Sequence, residues 1–306
     1  MELRGIPLCP GSTTGVVHPE YTGIAMTTGA GVKVRPKRRI RCVVIDLDGT
    51  MLVPAGDAVR IPHQMVTALN ELGRRGVVWC TNSGRDFEDQ AAILRRAVEE
   101  GLQAVPDAIM FNEAYVRPLQ GRGLPAWRAW NAAARQSLRE FQPRVQAALR
   151  GKLDRWRSSY QILREVLEEE TTAFLVPNEG EMAARFAAEL SVVLRSVMEA
   201  VVLRNGGWVA VLPSHLGKGQ VLATYMRSRL LESDEVLAIG DQLNDISMLN
   251  GEVADAVGCP SDAAAEVKSA VLDAGGTVAA QPGYLGTLEL LERYCGPGRS
   301  SSGQRS

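Results

Sequence analysis

The sequence predicts an α/β fold: a Rossmann-like parallel sheet into which a smaller α+β unit is inserted. Three observations carry this. Short apolar runs alternate with helical patterns over residues 41–111 and again over 216–279, polar residues cluster where the runs stop, and a helix-rich stretch closed by a hairpin signal separates the two halves. Strands that alternate with helices imply a parallel sheet covered on both faces.

The first strand is Arg41–Asp46. Pro62 opens a helix striped by Val66, Leu69 and Leu72, with Gly73 and Gly76 near its end. Val77–Thr81 reads as a strand, Phe87, Ala91, Leu94 and Val98 stripe the next helix, and Ala108–Phe111 makes a third strand. The alternation then breaks. Leu124–Arg157 carries a helical stripe of Trp127, Trp130, Ala134, Phe141 and Val145, and Pro143 within it predicts two helices or a kink. The tryptophans read as core of this unit rather than as a stacking platform, and Glu168-Glu169-Glu170 as a solvated helix face. Thr172–Val176 is strand-like, Glu181–Val197 helical, and Met198–Arg204 and Trp208–Leu212 flank Asn205-Gly206-Gly207, a strong hairpin signal. Beyond it, Leu216–Leu230 is helical, Val236–Ile239 a strand and Ile246–Leu249 the start of a helix. Val253–Val257 and Thr277–Ala279 read as short strands around a helix over Ser261–Ala270. The expected organisation is a flexible extension over 1–38, a core from 39–112 and 213–295, an insert over 113–212 and a flexible tail over 296–306.

The 306 residues hold 34 basic and 35 acidic side chains, so no net charge draws the chain to nucleic acid or membrane. Neither is expected as a partner. The five cysteines are scattered without a CxxC pair, against a disulfide scaffold or zinc site. No apolar run approaches the roughly 20 residues of a membrane span, and the N-terminus lacks a secretory pattern. A reducing cytoplasm is the expected compartment.

Four segments carry chemistry: Asp46-Leu-Asp48-Gly49-Thr50, Ser83-Gly84-Arg85, Lys218-Gly219 and Gly240-Asp241-Gln-Leu-Asn244-Asp245. Three of them stand at strand ends, the edge where open α/β folds bind ligands. Two neighbouring carboxylates such as Asp46 and Asp48 stay ionised only where a cation or shared proton relieves their repulsion, which points to a hard metal ion and phosphate chemistry. Each segment alone has a bland reading as a turn, a cap or a solvated charge; their order and company do not.

This set resembles the haloacid dehalogenase (HAD) superfamily of phosphohydrolases, whose four motifs come in this order. The resemblance spans about residues 40–293, and the insert is similar to that family's C2-type cap. The second motif admits a register on Thr81, but Ser83-Gly84-Arg85 matches the usual Thr-Gly-Arg without a gap. Met248-Leu249 and Val267-Lys268 also resemble the Cof-like sugar-phosphatase branch and its sucrose-phosphatase-like relatives, whereas Val253–Pro260 departs from the Gly-Val-Ala-Met-Gly-Asn segment of that branch.

The resemblance implies a Mg²⁺-dependent phosphomonoesterase acting on a small phosphate ester, with a sugar phosphate as the expected class. Asp46 would be the nucleophile and Asp48 the general acid, an identity that favours a phosphatase or phosphomutase within the family. Ser83, the Gly84 backbone and Lys218 would contact the phosphate. Asp46, the main-chain carbonyl of Asp48, and Asp241 would hold Mg²⁺. Asp245 would orient water or Lys218, Asn244 would touch phosphate, and Thr50 would brace the turn. Arg85, Asn112 and His215 stand as possible substrate contacts. A phosphomutase-like transferase and a non-catalytic binding protein of the same fold are the rival readings.

Overall fold

The computed structural model describes residues 39–296 apart from 57, 178–180 and 198. The expected N-terminal extension, Cys9 and the tail beyond Gly296 lie outside the described residues.

From β1 (Cys42–Ile45) the chain forms a short antiparallel pair, β2 (Val53–Ala55) and β3 (Ala58–Arg60). It continues through α1 (His63–Arg74), β4 (Val78–Asn82), α2 (Phe87–Glu99), β5 (Ala108–Phe111) and β6 (Tyr115–Arg117). The insert follows: α3 (Pro125–Leu149), α4 (Leu153–Ser159), β7 (Arg164–Leu167), β8 (Thr172–Leu175), α5 (Met182–Val193), β9 (Ala200–Asn205) and β10 (Trp208–Pro213). The chain returns through α6 (Lys218–Arg229), β11 (Val236–Ile239), α7 (Ile246–Leu249), β12 (Ala256–Cys259), α8 (Ala265–Asp273), β13 (Thr277–Val278) and α9 (Gly283–Cys295).

The main sheet has the order β13-β12-β11-β1-β4-β5-β6 and is parallel except for β6. Its centre, β1, is buried on both faces: Val43 and Ile45 join the core cluster under α1, α2 and α9, while Cys42 and Val44 join the one under α6, α7 and α8. Continuous burial on both faces is what a strand covered by helices on either side requires.

A second sheet, β7-β8-β10-β9, lies in the insert. Phe174, Val209 and Val211 on one face pack with Phe141, Val145, Trp156 and Phe186 of its helices. The alternate residues Val166, Ala173 and Ala210 line a cavity shared with the core. The β9–β10 hairpin pairs Asn205 with Trp208 across Gly206-Gly207, with Gly206 at φ 55°.

Several expectations are corrected. Pro143 lies inside one unbroken helix, α3, rather than between two. Leu138, Phe141, Gln142 and Val145 are buried around it, and Gln142 Nε2 donates to the Val211 carbonyl at 3.1 Å, so packing on both sides outweighs the lost backbone bond. Tyr115–Arg117, inside the stretch 113–212 assigned to the insert, is the antiparallel edge strand of the core sheet. Trp127 stacks near Tyr225 of α6, with ring centroids 5.9 Å apart, and is core-domain packing rather than core of the insert. Glu168-Glu169-Glu170 is no helix face: it forms the β7–β8 connection, where Glu170 accepts from Tyr115 and Arg139. The strand expected at Val253–Val257 is β12 at Ala256–Cys259, and the following helix begins at Ala265. The β2–β3 pair and α9 had no counterpart in the sequence reading.

Candidate active site

The edge formed by the carboxyl ends of β1, β4 and β11 gathers the motif residues. The chain leaves β1 for β4 on one side and reaches β11 on the other only after the insert, so a topological switch lies between β1 and β11. The Asp46 N–H donates to the Ile239 carbonyl at 2.9 Å, the last ladder bond before Asp46 emerges beside Gly240-Asp241. Ser83 follows β4 in the same way, its N–H donating to the Met110 carbonyl at 3.1 Å.

Lys218, fully buried at the start of α6, supplies the cation. Its Nζ lies 2.5 Å from Asp245 Oδ1 and 2.8 Å from Asp46 Oδ1. Gly219 is what lets α6 approach this closely, since a Cβ there would stand 2.1 Å from the Ser247 carbonyl oxygen. Asp245 is heavily engaged: Oδ1 takes Lys218, and Oδ2 accepts from the N–H groups of Asp241 and Gln242 at 2.9 and 2.8 Å. It therefore positions Lys218 and the 241–242 turn. Asp241 Oδ1 accepts from Thr50 Oγ1 at 2.7 Å, and Oδ2 from Gln242 Nε2 at 3.1 Å.

One oxygen from each of Asp46, Asp241 and Asp245 lies within 4.8 Å of the others, so three buried carboxylates face one ammonium. Burial pushes Asp46 well above the ordinary carboxylate range; Lys218 opposes the rise while Asp245 and Asp241 add to it. Burial, reinforced by Asp245, pushes Asp241 up to about 6. Burial alone would lower Lys218, but Asp245, Asp46 and Glu113 outweigh it and raise the ammonium well above its usual range. Asp46 Oδ2 is buried without a hydrogen-bond partner. An orphaned carboxylate oxygen inside a net-negative, all-oxygen donor set fits a hard divalent cation such as Mg²⁺. Asp46 and Asp241 accept fewer bonds than Asp245 and so have the most lone pairs left to hold it.

Gly49 keeps this arrangement open. It has φ +73°, and a Cβ there would lie 2.2 Å from Asp241 Oδ2. Gly49→Ala is expected to cost about 1–2 kcal/mol for the left-handed backbone alone and to displace Asp241 from Thr50. Urea unfolding and calorimetric titration with MgCl₂ check it, with lower stability and weaker cation binding as the expected results.

The cavity between the core edge and the insert's sheet has a volume of about 580 Å³, and Asp48, Ser83, Gly84, Arg85, Asn112 and Glu113 are on its core side. Arg85 does not reach freely into it: its Nε and Nη2 hold the two Asp48 oxygens at 2.7 and 2.8 Å, a bidentate pair that fixes the direction of the Asp48 carboxyl. Ser83 Oγ accepts from the Arg85 N–H at 3.2 Å, whereas Thr81, the alternative register, donates to Gln90 in the core. Asn112 lines the cavity. His215 does not: it is surface-exposed and shares a 2.8 Å hydrogen bond with Ser137 of α3. Asn244, expected to touch phosphate, donates its Nδ2 to Glu113 Oε1 at 2.7 Å.

Glu113 is the residue the sequence reading missed. It is buried, lines the cavity and carries a carboxyl raised by burial, which Lys218 and Asn244 oppose. The available signal was an acidic side chain directly after Asn112, between Phe111 and Ala114, at the edge where the other motifs end.

A family model described as haloacid dehalogenase-like hydrolase matches residues 150–271, which take in the third and fourth motifs. A sucrose-phosphatase from Synechocystis, solved with sucrose and phosphate, superposes with a TM-score of 0.63 at 17% identity over 84% of this chain and 99% of its own. The chain has the HAD-like hydrolase fold. A haloacid dehalogenase-like hydrolase from B. subtilis (TM-score 0.55, 16% identity, 83% of this chain and 99% of its own) is similar over the same extent. So is one from Bacteroides thetaiotaomicron (TM-score 0.54, 16% identity, 83% and 99%). No curated protein matches the sequence. No described helix is long and apolar enough to cross a membrane.

Proposed function

We propose that the protein is a Mg²⁺-dependent phosphomonoester hydrolase that works through an aspartyl-phosphate on Asp46. The observation that carries this reading is the buried Asp46 carboxylate at the end of β1, with Oδ1 on Lys218 and Oδ2 without a hydrogen-bond partner, grouped with the Asp241 carboxylate.

Asp46 attacks phosphorus and the ester oxygen leaves, taking a proton from Asp48. Asp48, now ionised, accepts a proton from water as that water attacks the acyl-phosphate; phosphate departs and Asp46 is regenerated. Lys218, the Ser83 hydroxyl and the Gly84 N–H stabilise the phosphoryl oxygens by charge and hydrogen bonds. Thr50 and Asp245 keep Asp241 and Lys218 in place. Bound Mg²⁺ supplies charge neutralisation and Lewis-acid polarisation of the phosphoryl group. Arg85, whose fork occupies both Asp48 oxygens, releases one of them for Asp48 to carry the proton it gives to the leaving group.

The substrate is a small phosphorylated metabolite held under the cap in a cytoplasmic setting. A sugar phosphate is the first class to test, on the strength of the sucrose-phosphatase neighbour. A phosphate-release screen over sugar, polyol and nucleotide monophosphates, with and without chelator, tests the reading. Release without any bisphosphate activator, silenced by chelation and restored by Mg²⁺, is the expected result; activity indifferent to chelator removes the metal from the scheme. Asp48→Ala should slow esters with poor leaving groups most, by about 10²–10⁴-fold, and activated aryl esters far less. An equal loss for both would argue against its acid role.

A further inference from the structure

Glu113 is a buried charge that this chemistry leaves without a task. Both Glu113 and Asn112 have left-handed backbone angles, φ +56° and +50°, which side chains with a Cβ disfavour. Such strain persists only where the surroundings enforce it, and it clusters at functional sites. Here the Glu113 N–H donates to the Ser83 carbonyl at 3.4 Å and the Asn112 N–H to the Arg85 carbonyl at 3.1 Å, stitching the two loops together.

The carboxylate lies beside Gly84 and in the field of Lys218, two groups that the proposed function gives to the phosphoryl oxygens, and holds the Asn244 amide. Oε1 accepts from Asn244 Nδ2 at 2.7 Å, and a Cβ on Gly84 would stand 3.2 Å from that same oxygen. The Lys218 charge acts on it as well. Oε2 is buried with no partner, in a side chain only 7% exposed. Asp46 is 1% exposed and does not line the cavity, whereas Glu113 does. On the cavity side of the site Glu113 is thus the buried anion beside Gly84 and Asn244.

We propose that Glu113 sets the affinity of the phosphoryl subsite: its carboxylate occupies an anion position between Gly84 and Asn244, and a phosphoryl group binds by displacing it. The inference rests on the proposed function, because that reading makes the surrounding donors phosphate ligands. An internal carboxylate competes with an incoming dianion for the same donors and repels it. Product phosphate is then held weakly and released readily.

The test is calorimetric titration of inorganic phosphate, with MgCl₂ in the buffer, into the wild type, Glu113→Gln and Glu113→Gly, with Glu169→Gln as a control for loss of an exposed charge. The two Glu113 variants are expected to bind phosphate at least tenfold more tightly, with product inhibition of turnover tightening in parallel and Glu169→Gln unchanged. Glycine suits a positive φ, so Glu113→Gly decides the matter if the glutamine variant does not fold. Unchanged or weaker binding in a folded Glu113 variant overturns the inference, weaker binding being what a residue that merely orients Asn244 would give. If Asp46→Asn abolishes turnover yet no form binds phosphate, the inference falls and the proposed function stands. If Asp46→Asn turns over normally, both fall.

Discussion

Asp46→Asn is expected to lower phosphate release by about a thousandfold or more, the scale on which removal of a nucleophile acts, while the protein stays folded. Asparagine keeps the shape and the Ile239 backbone bond of the wild-type residue but cannot form the mixed anhydride. Its effect on stability should have the opposite sign to its effect on activity. The carboxylate it replaces is fully buried, has an orphaned oxygen and lies in a cluster with two other acids. Burial raises its folded-state pKa, so the protonated form is the one folding favours. The stability it contributes is complete below its unfolded value of about 4 and is lost as pH rises through the folded one. At pH 7 the cation-free wild type therefore carries a penalty that asparagine removes. Circular dichroism melts in chelator should show a midpoint no lower for the variant, and phosphate-release assays in Mg²⁺ should show the loss. A folded Asp46→Asn protein that still releases phosphate at an appreciable rate would remove Asp46 as nucleophile. The same melts offer a second reading, because Mg²⁺ should raise the wild-type midpoint more than that of the variant.

Much of this site could be read from the chain because its parts stand at strand ends. An apolar run such as Val43–Ile45 announces where it stops, and the residues just beyond it, Asp46 here and Asp241 after β11, inherit a position on the sheet's edge. Lys218 was legible only in company with the other motifs, since a lone lysine at a helix start reads as a solvated charge; the close approach that Gly219 allows to Ser247 shows only in the fold. Less legible was anything fixed by side-chain pairing across long separations. The Asp48–Arg85 fork joins residues 37 apart and the Glu113–Asn244 bond residues 131 apart, and neither leaves a periodic trace. His215 shows the same limit: the sequence places it three residues before Lys218 but does not say which way the ring points, and in the fold it is hydrogen-bonded to Ser137 of α3 and is not among the residues that line the cavity. Pro143 misled for a different reason, a local rule overruled by burial of its neighbours. The β2–β3 pair and α9 escaped notice because three-residue strands and a helix opening with Gly-Tyr-Leu-Gly show too little alternation to register.

Lys218→Met should be the most destabilising single change in the site. The ammonium is completely buried between Asp46 and Asp245, and removing one member of a buried ion cluster typically costs about 3–5 kcal/mol because the partners are left as uncompensated charges. The loss should depend on pH in a defined direction. In the wild type the Lys218 pKa is raised, so its contribution is fully present below the unfolded lysine value of about 10.4 and stays constant across pH 4–8. In the variant the carboxylates bear the change. Burial already raises Asp46 and pushes Asp241 up to about 6, and loss of the ammonium that opposes both rises lifts them further, so as the pH climbs past the unfolded value of about 4 the unfolded chain gives up protons that the folded variant retains. The stability gap between wild type and Lys218→Met should therefore be small at pH 4 and widen through pH 6–7. Urea unfolding at a series of pH values in chelator measures it directly. Adding Asp46→Asn to Lys218→Met should recover part of the loss at pH 7 and flatten the pH dependence, since the orphaned anion is then gone. A gap of the same size at every pH, or a double variant no more stable than the single, would mean that Lys218 acts through packing of its aliphatic stem and not as the cation that lets these acids share one buried site.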